Sequence, residues 1–405
     1  MSKIEKKIIK QLYGLITETE YSFDIKLPND IYYLSKLFKK NGKKLFVVGG
    51  AVRDAKLGKV PKDFDLVTDA LPDEVENVLN SENIYNFPSG KNFGIISAVI
   101  GKETYEIATF RNDNYSEDFD GRRPSSVTFG DMEADAMRRD LTINALYYDI
   151  DRGVIVDLVG GLDDIENKKI KPVGNAISRF TEDRLRTLRA LRFAHRFGSS
   201  LDKETIDAII HFKDLPGVSN ERIRDEFYKS LHSSKKPEDF VEQYLSLGLG
   251  PRTFGNVNLD TNHVPELRNP ILVLAKLLWN NTPDSISKSL YSFKASKDEI
   301  EAVLFLKNIY ERFVDFDKLV FDPLVDGYWL MGLIKKRDIF FEKNILNKRD
   351  VLTWGHIMKI DSNVLNQFVD FKITITAKDF SEIKPGRELG EKITIENSKL
   401  FLLGL

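Results

Sequence analysis

Two carboxylates one residue apart, Asp63 and Asp65, follow the run Gly49-Gly50-Ala51-Val52-Arg53-Asp54. On an extended strand, residues i and i+2 project from one face, so Asp63 and Asp65 can hold a divalent ion between them while Phe64 and Leu66 turn to the core. Mg²⁺ suits such a site, because it takes a few carboxylates and completes its shell with substrate phosphate oxygens. Two such ions can clamp the attacking and leaving oxygens of an in-line displacement. The glycines supply the other half. Leu45-Phe46-Val47-Val48 reads as a short buried strand and residues 51–57 as the start of a helix, which places Gly49 and Gly50 at a strand-to-helix turn. Backbone N–H groups there can approach phosphate oxygens closely, with Arg53 one turn in as a fork donor. An isolated Asp-x-Asp or a lone glycine turn would carry little meaning. Together, at this spacing, they describe a triphosphate cradle beside a metal site, the arrangement that nucleotidyl transfer requires.

Further candidates lie downstream. Glu106 shares a strand face with Ala108 and Phe110 and is the expected third catalytic carboxylate, an edge-strand glutamate in water being the alternative. In Met137-Arg138-Arg139-Asp140-Leu141, the paired arginines precede an apolar stretch and suit a phosphate or sugar contact, or else a solvated basic turn. Asp157-Leu158-Val159-Gly160-Gly161 reads as a glycine hinge. In Glu182-Asp183-Arg184-Leu185-Arg186, helical spacing places Glu182, Arg186, Arg189 and Phe193 on one face and Leu185, Leu188 and Leu191 on another, with Asp183 and Arg186 paired at i, i+3. A surface helix laced with salt bridges fits that pattern. So does a fixed Asp/Arg edge that imitates a base, its carboxylate accepting from an exocyclic amine and its guanidinium donating to ring acceptors.

The elements that must position these groups change character along the chain. Residues 44–161 alternate short β-like runs with turns, including 94–100, 105–110, 145–150 and 154–158. From residue 180 onward the periodicity is helical, as in 185–197, 206–212 and 300–313. The expected fold class is α+β, a mixed-sheet head followed by an all-α remainder. The expected divisions are an N-terminal helical extension over 1–40, a catalytic head over 41–165, a helical neck over 166–235 and a helical body and tail over 236–405. A long polar stretch, residues 111–130 with Tyr115, Asp120, Arg122, Arg123 and Pro124, is expected to be a loop that is either functional or disordered. With no cysteine, disulfides, thiolate catalysis and zinc ribbons are excluded, and the net charge of −2 leaves any nucleic-acid contact to a local basic surface. No signal-peptide core or membrane-length apolar run is present, so a cytoplasmic location without membrane association is expected.

These motifs, in this order, resemble the class II tRNA nucleotidyltransferases, the CCA-adding enzymes, which share a family with bacterial poly(A) polymerases. The resemblance spans residues 45–231 and includes a fifth motif, Val218-Ser219-Asn220-Glu221-Arg222-Ile223-Arg224-Asp225. It implies a polymerase-β-like nucleotidyltransferase head. It also implies Mg²⁺ on Asp63 and Asp65, the incoming nucleotide held by Gly49, Gly50, Arg53 and Arg139, and its base read by Asp183 and Arg186 with help from Arg189 and Arg192. The substrates implied are CTP, ATP and the tRNA 3′ acceptor end, with no protein partner. Enzymes stopping at two cytidines lack much of the loop after the Thr109-Phe110-Arg111 strand, which is retained here. The tail 393–405 has Lys399 alone as a cation, unlike the basic extension of poly(A) polymerases. Full CCA addition is thus expected ahead of poly(A), A-only or CC-only addition, and ahead of a silent RNA-binding relative. The five histidines include no His-Asp dipeptide or i, i+4 pair, so no phosphohydrolase domain is expected.

Overall fold

The computed structural model describes residues 19–114, 126–260 and 267–404. Expectations resting on residues 1–18, on Tyr115, Asp120, Arg122, Arg123 and Pro124, and on His263 fall outside the described residues. The chain divides into two compact units, Met1–Arg222 and Ile223–Leu405.

Among the described residues the first unit has twelve strands: β1 (Thr19–Ser22), β2 (Leu45–Val48), β3 (Asp65–Thr68), β4 (Tyr85–Gly90), β5 (Ile95–Ile100), β6 (Glu103–Thr109), β7 (Arg111–Asn114), β8 (Ser126–Phe129), β9 (Leu146–Asp149), β10 (Val154–Asp157), and the short β11 (Lys169–Ile170) and β12 (Ser200–Leu201), which pair with each other in parallel. Eight of them form one mixed sheet in the order β1-β10-β9-β2-β3-β6-β5-β4, while β7 and β8 make a separate hairpin. Only the β3–β6 pairing within that sheet is parallel. The pleat sends Leu45, Val47, Leu66, Tyr105 and Ile107 to one core, with Phe64 packed against it. Phe46, Val48, Val67, Phe110, Tyr147 and Val156 form a second core on the opposite face. Asp65 and Glu106 therefore belong to the second face, the one left open to chemistry beyond Val67 and Ala108.

The N-terminal segment corrects the expected helical extension. Thr19–Ser22 is an edge strand paired with β10, and the helix Asn29–Lys40 buries Ile31, Leu34, Leu37 and Phe38 in the first core. Its apolar residues recur at helical spacing because they cover the sheet, so residues 19–40 are part of the head. The glycine hinge is likewise corrected. Asp157 is buried, and its carboxylate accepts the N–H groups of Val159, Gly160, Gly161 and Leu162 at 2.8–3.1 Å, which satisfies the start of the helix Gly161–Glu166. Gly160 adopts φ +80°, and a Cβ on Gly161 would lie 2.3 Å from the Thr142 carbonyl oxygen. That is a fixed corner, with no freedom to bend.

After it come the helices Ala176–Glu182, Leu185–Phe197 and Lys203–His211. The second unit is helical from Pro237–Ser246 to Arg387–Leu403 around buried aromatics such as Phe227, Phe254, Phe313, Trp354 and Phe368. No helix among the described residues is long and apolar enough to cross a membrane.

Candidate active site

Asp65 opens β3 opposite Val48, the last residue of β2, and Gly49 follows directly. Strand pairing thus brings the glycine turn and the carboxylates to the same sheet edge. Asp63 and Asp65 stand on the rim between two cavities. One, about 430 Å³, is lined by Gly50, Arg53, Asp54, Lys59 and Arg196 as well as the two aspartates. The other, about 720 Å³, adds Asp30, Glu103, Tyr105 and Glu106. Among the described residues neither aspartate accepts a hydrogen bond or joins an ion pair. Desolvation holds the Asp65 carboxyl above its ordinary range, Arg139 pulls it down, and the Asp63 charge adds to the rise. Two unsatisfied oxygen-donor side chains that repel each other fit a hard divalent cation. Glu106 is level with Asp65 one strand away, since β3 and β6 pair Leu66 with Ile107. Among the described residues no group of three carboxylate, His or Cys side chains is gathered closely enough to hold an ion, so Glu106 shares the cavity wall without joining such a cluster.

Behind the glycine turn lies a network of buried polar groups. Gly49 has φ +73°, and a Cβ there would meet the Asn144 carbonyl oxygen at 3.4 Å and Arg139 Nη1 at 3.5 Å. Arg53 is 4% exposed, donates Nη1 to Asn144 Oδ1, and holds Asp54 Oδ1 through Nε at 2.8 Å and Nη2 at 2.7 Å. Its guanidinium carbon is 5.1 Å from the ring centres of both Phe193 and Phe197, which stack at 5.8 Å. Asn144 Nδ2 in turn donates to Asp140, whose other oxygen takes Arg189 Nε at 2.8 Å and Nη2 at 2.6 Å. Burial pushes the Asp140 carboxyl up, but the Arg189 charge, the hydrogen bonds from Asn144 and Arg189 and the Arg186 charge together outweigh it and hold it down at about 2. Arg139 is tied to the fully buried Asp135, 2.9 Å from Nη2, and to the Tyr147 hydroxyl, 3.1 Å from Nε. Burial opposes the charge on Asp135, and Arg139 and Arg138 together still keep it below the usual carboxylate range.

The expected Asp183–Arg186 pair is corrected. Asp183 is extended (φ −151°, ψ 107°) at the end of Ala176–Glu182, and a new helix starts at Leu185, so i, i+3 helical geometry does not apply. Asp183 accepts the Leu185 N–H at 3.0 Å and pairs with Arg222 Nη2 at 2.9 Å. Arg186 instead donates Nη1 to Glu182 at 2.7 Å and Nη2 to the Arg138 carbonyl at 3.1 Å. Arg192 stacks over Phe193, 4.5 Å from the ring centre. Gly49, Gly50, Arg53, Arg139 and Arg189 therefore gather around one turn, with Asp183 and Arg186 anchored at the start of the same long helix.

Comparison with known proteins decides the family. Residues 45–171 match the poly A polymerase head domain. A CCA-adding enzyme of Lactobacillus helveticus is 32% identical over 375 residues, covering 87% of each chain. The chain belongs to the CCA-adding enzyme family. Among solved structures, a CCA-adding enzyme complexed with CTP aligns with a TM-score of 0.67 at 18% identity over 92% of this chain and 90% of that one. The Thermotoga maritima CCA-adding enzyme complexed with tRNA_CCA aligns with a TM-score of 0.66 at 18% identity, again over 92% and 90%. These two likenesses establish the α+β fold. Nucleotidyltransferases of this family generally use a divalent metal, in keeping with the aspartate pair.

Within this family fold, the structure gives places to residues that the motifs contain or border without a role of their own. Asp54, Lys59 and Arg196 line the glycine cavity, and Asn144, Asp140 and Asp135 order the arginines behind it. Arg196 had a signal available: Arg189, Phe193 and Arg196 follow i, i+4, i+7 spacing on one helix.

Proposed function

We propose that this chain adds CCA to the 3′ end of tRNA from CTP and ATP, releasing pyrophosphate. The observation that carries this reading is the placement of Gly50, Arg53, Asp63 and Asp65 around one cavity in a chain of this family. The 3′-hydroxyl of tRNA attacks the α-phosphorus, forming the new O–P bond as the bond to the β-phosphate oxygen breaks. No covalent enzyme intermediate is required. Asp63 and Asp65 would hold the ion, which we take to be Mg²⁺; when bound it lowers the pKa of the hydroxyl and neutralises charge on the leaving pyrophosphate. Gly50 presents its backbone N–H to the phosphates, Gly49, whose own N–H is taken by the Leu146 carbonyl, supplies the turn, and Arg53 and Arg139 are proposed to hold the incoming nucleotide.

Asp183, Arg186, Arg189 and Arg192 are proposed to read the base, and Glu106 to serve as third carboxylate. The neck over 166–235 and the body and tail over 236–405 would carry these contacts and the tRNA, in the cytoplasm. The deciding experiment supplies labelled CTP and ATP, together and separately, to tRNA lacking its CCA end. Two cytidines followed by one adenosine, with arrest there and no extension without Mg²⁺, are expected. Long adenosine tails would move the assignment to poly(A) polymerase, arrest at two cytidines to a CC-adding enzyme, and no extension to a silent tRNA-binding protein.

A further inference from the structure

Asp63 and Asp65 border both cavities of the site, and the strand order sets those cavities on opposite flanks of β3. The glycine turn follows β2 on one flank, and Thr104 and Glu106 stand on β6 on the other. In an in-line displacement the attacking and leaving oxygens lie on opposite sides of the phosphorus. With the triphosphate tail at the glycine turn, the attacking 3′-hydroxyl and the RNA strand behind it approach from the β6 flank, through the cavity of about 720 Å³. That wall is a poor place to hold RNA by its phosphates. Asp30, Glu103 and Glu106 line it beside the aspartate pair, with Lys62 alone among the described lining residues to offset them, and like charge repels a phosphate backbone.

The sheet face continues outward from there. Cross-strand partners project to the same side, so the registers from Glu106 to Ser97 to Phe87 and from Thr104 to Val99 to Tyr85 carry the face of Asp65 across β6 and β5 to the edge strand β4. The alternate residues Ile107, Ile96 and Ala98 lie in the core on the opposite face. Both rows end on an aromatic ring. Tyr85 is 69% exposed and Phe87 38%, and their ring centres lie 6.2 Å apart. An edge strand is ordinarily blunted by charge or proline, and here Pro88 does so while two rings remain in solvent. The Ser97 hydroxyl donates to Ser89 Oγ at 2.7 Å and ties the irregular end of β4 back to β5. The rings therefore sit on a fixed strand. At about 4.8 Å between neighbouring strands, β4 runs about 14 Å from Asp65 along the sheet.

We infer that Tyr85 and Phe87 form a stacking platform for the unpaired nucleotides behind the reacting 3′ terminus of the tRNA. This role deepens the proposed function and rests on it for the identity of the RNA. Stacking suits the place, because it needs no phosphate contact and accepts any base, every base having a π-face. The separation of about 14 Å is several times the stacked rise of about 3.4 Å per nucleotide, so the rings meet nucleotides upstream of the terminus and not the terminal one. Each cytidine added lengthens the single-stranded end by one nucleotide and brings more of it onto the rings. The platform thus strengthens as the tail grows, and it holds the CC-ended intermediate for the last step more firmly than the tRNA that enters the first.

The test is fluorescence-anisotropy binding of tRNA lacking CCA, and of the same tRNA ending in CC, to the full chain without nucleotide. Wild type is compared with the double variants Tyr85→Ala/Phe87→Ala and Tyr85→Leu/Phe87→Leu. The leucine pair keeps apolar cover on the edge strand without an aromatic face, and circular dichroism melts accompany each variant. Both are expected to bind the CC-ended tRNA roughly 5- to 100-fold more weakly, and tRNA lacking CCA less than about threefold more weakly. KM for the CC-ended tRNA should rise at unchanged KM for ATP and unchanged product sequence. Tyr85→Phe/Phe87→Tyr, which keeps both rings, should bind as wild type does. Unchanged affinity of the alanine pair for the CC-ended tRNA would overturn the platform. So would an equal loss on both RNAs, which would make the rings a general RNA contact, or wild-type affinity in the leucine pair, which would make them packing. The binding contrast decides the platform, whereas extension of tRNA by the wild type decides the functional reading, so failure of one is distinguishable from failure of the other.

Discussion

Replacing Asp140 with asparagine should expose how strongly the helix Leu185–Phe197 is wired to the glycine turn. Asp140 Oδ2 holds Arg189 through two contacts at 2.8 and 2.6 Å, while Oδ1 accepts Asn144 Nδ2 at 3.1 Å and the Leu141 N–H at 2.8 Å. Its carboxyl is held at about 2 against an ordinary 3.8. At roughly 1.4 kcal/mol per unit, that difference corresponds to about 2 kcal/mol of stability at pH 7. Because the folded value is depressed, this contribution is fully present above the unfolded value of 3.8 and is lost as pH falls toward the folded value near 2. At pH 3 about half of it should remain. The assay is a thermal melt of wild type and Asp140→Asn from pH 7 to pH 3, with a neutral-pH gap of roughly 4–8 °C expected for a unit of this size. KM for CTP and ATP should also rise, because Asn144, released on one side, no longer fixes Arg53. A gap that is constant down to pH 3, or a neutral-pH loss under about 1 °C, would refute the reasoning.

Asp65→Asn should abolish Mg²⁺-dependent incorporation, leave tRNA binding intact and raise the melting temperature of the metal-free protein. Burial and Asp63 raise the folded-state value of Asp65, so the wild type loses stability as pH climbs through it; a melt showing the variant less stable at pH 7 would contradict this. Gly161→Ala, whose Cβ would press to 2.3 Å against the Thr142 carbonyl, should cost about 1–3 kcal/mol or more, read as a lowered denaturation midpoint. Arg186→Ala should mix CTP and ATP choice more than it weakens triphosphate affinity, and single-nucleotide incorporation assays with unchanged selectivity would remove Arg186 from base reading.

Much of the head was legible because its signals are local. Leu45-Phe46-Val47-Val48 and the run 95–100 are apolar, partly β-branched and bounded by turns, and the structure makes them β2 and β5. Leu188 and Leu191 recur at helical spacing, and the helix covers Leu185–Phe197. The division of the sheet into two faces followed from the period of two, which sent Phe64 and Leu66 to the core and left Asp65 on the other side. The edge strand Thr19–Ser22 was not legible, since its exposed polar residues carry no alternation and its pairing with β10 joins residues more than a hundred positions apart.

The site shows a further limit. Residue type and spacing state what a side chain can do, but its donors are spent by partners that only the fold supplies. Arg53 reads as a phosphate fork beside a glycine turn, yet Asn144 reaches it only because the Gly49 N–H bonds to the Leu146 carbonyl at 2.9 Å and brings the preceding turn alongside. Asp54 is adjacent to Arg53 in sequence, but its second oxygen is met by Arg196, 142 positions away. Asp183 and Arg186 carry the right charges for a pair, and one extended residue between two helices assigns them to Arg222 and Glu182. The sequence thus names the charges of the cavity, and the tertiary contacts decide which of them remain available to a ligand.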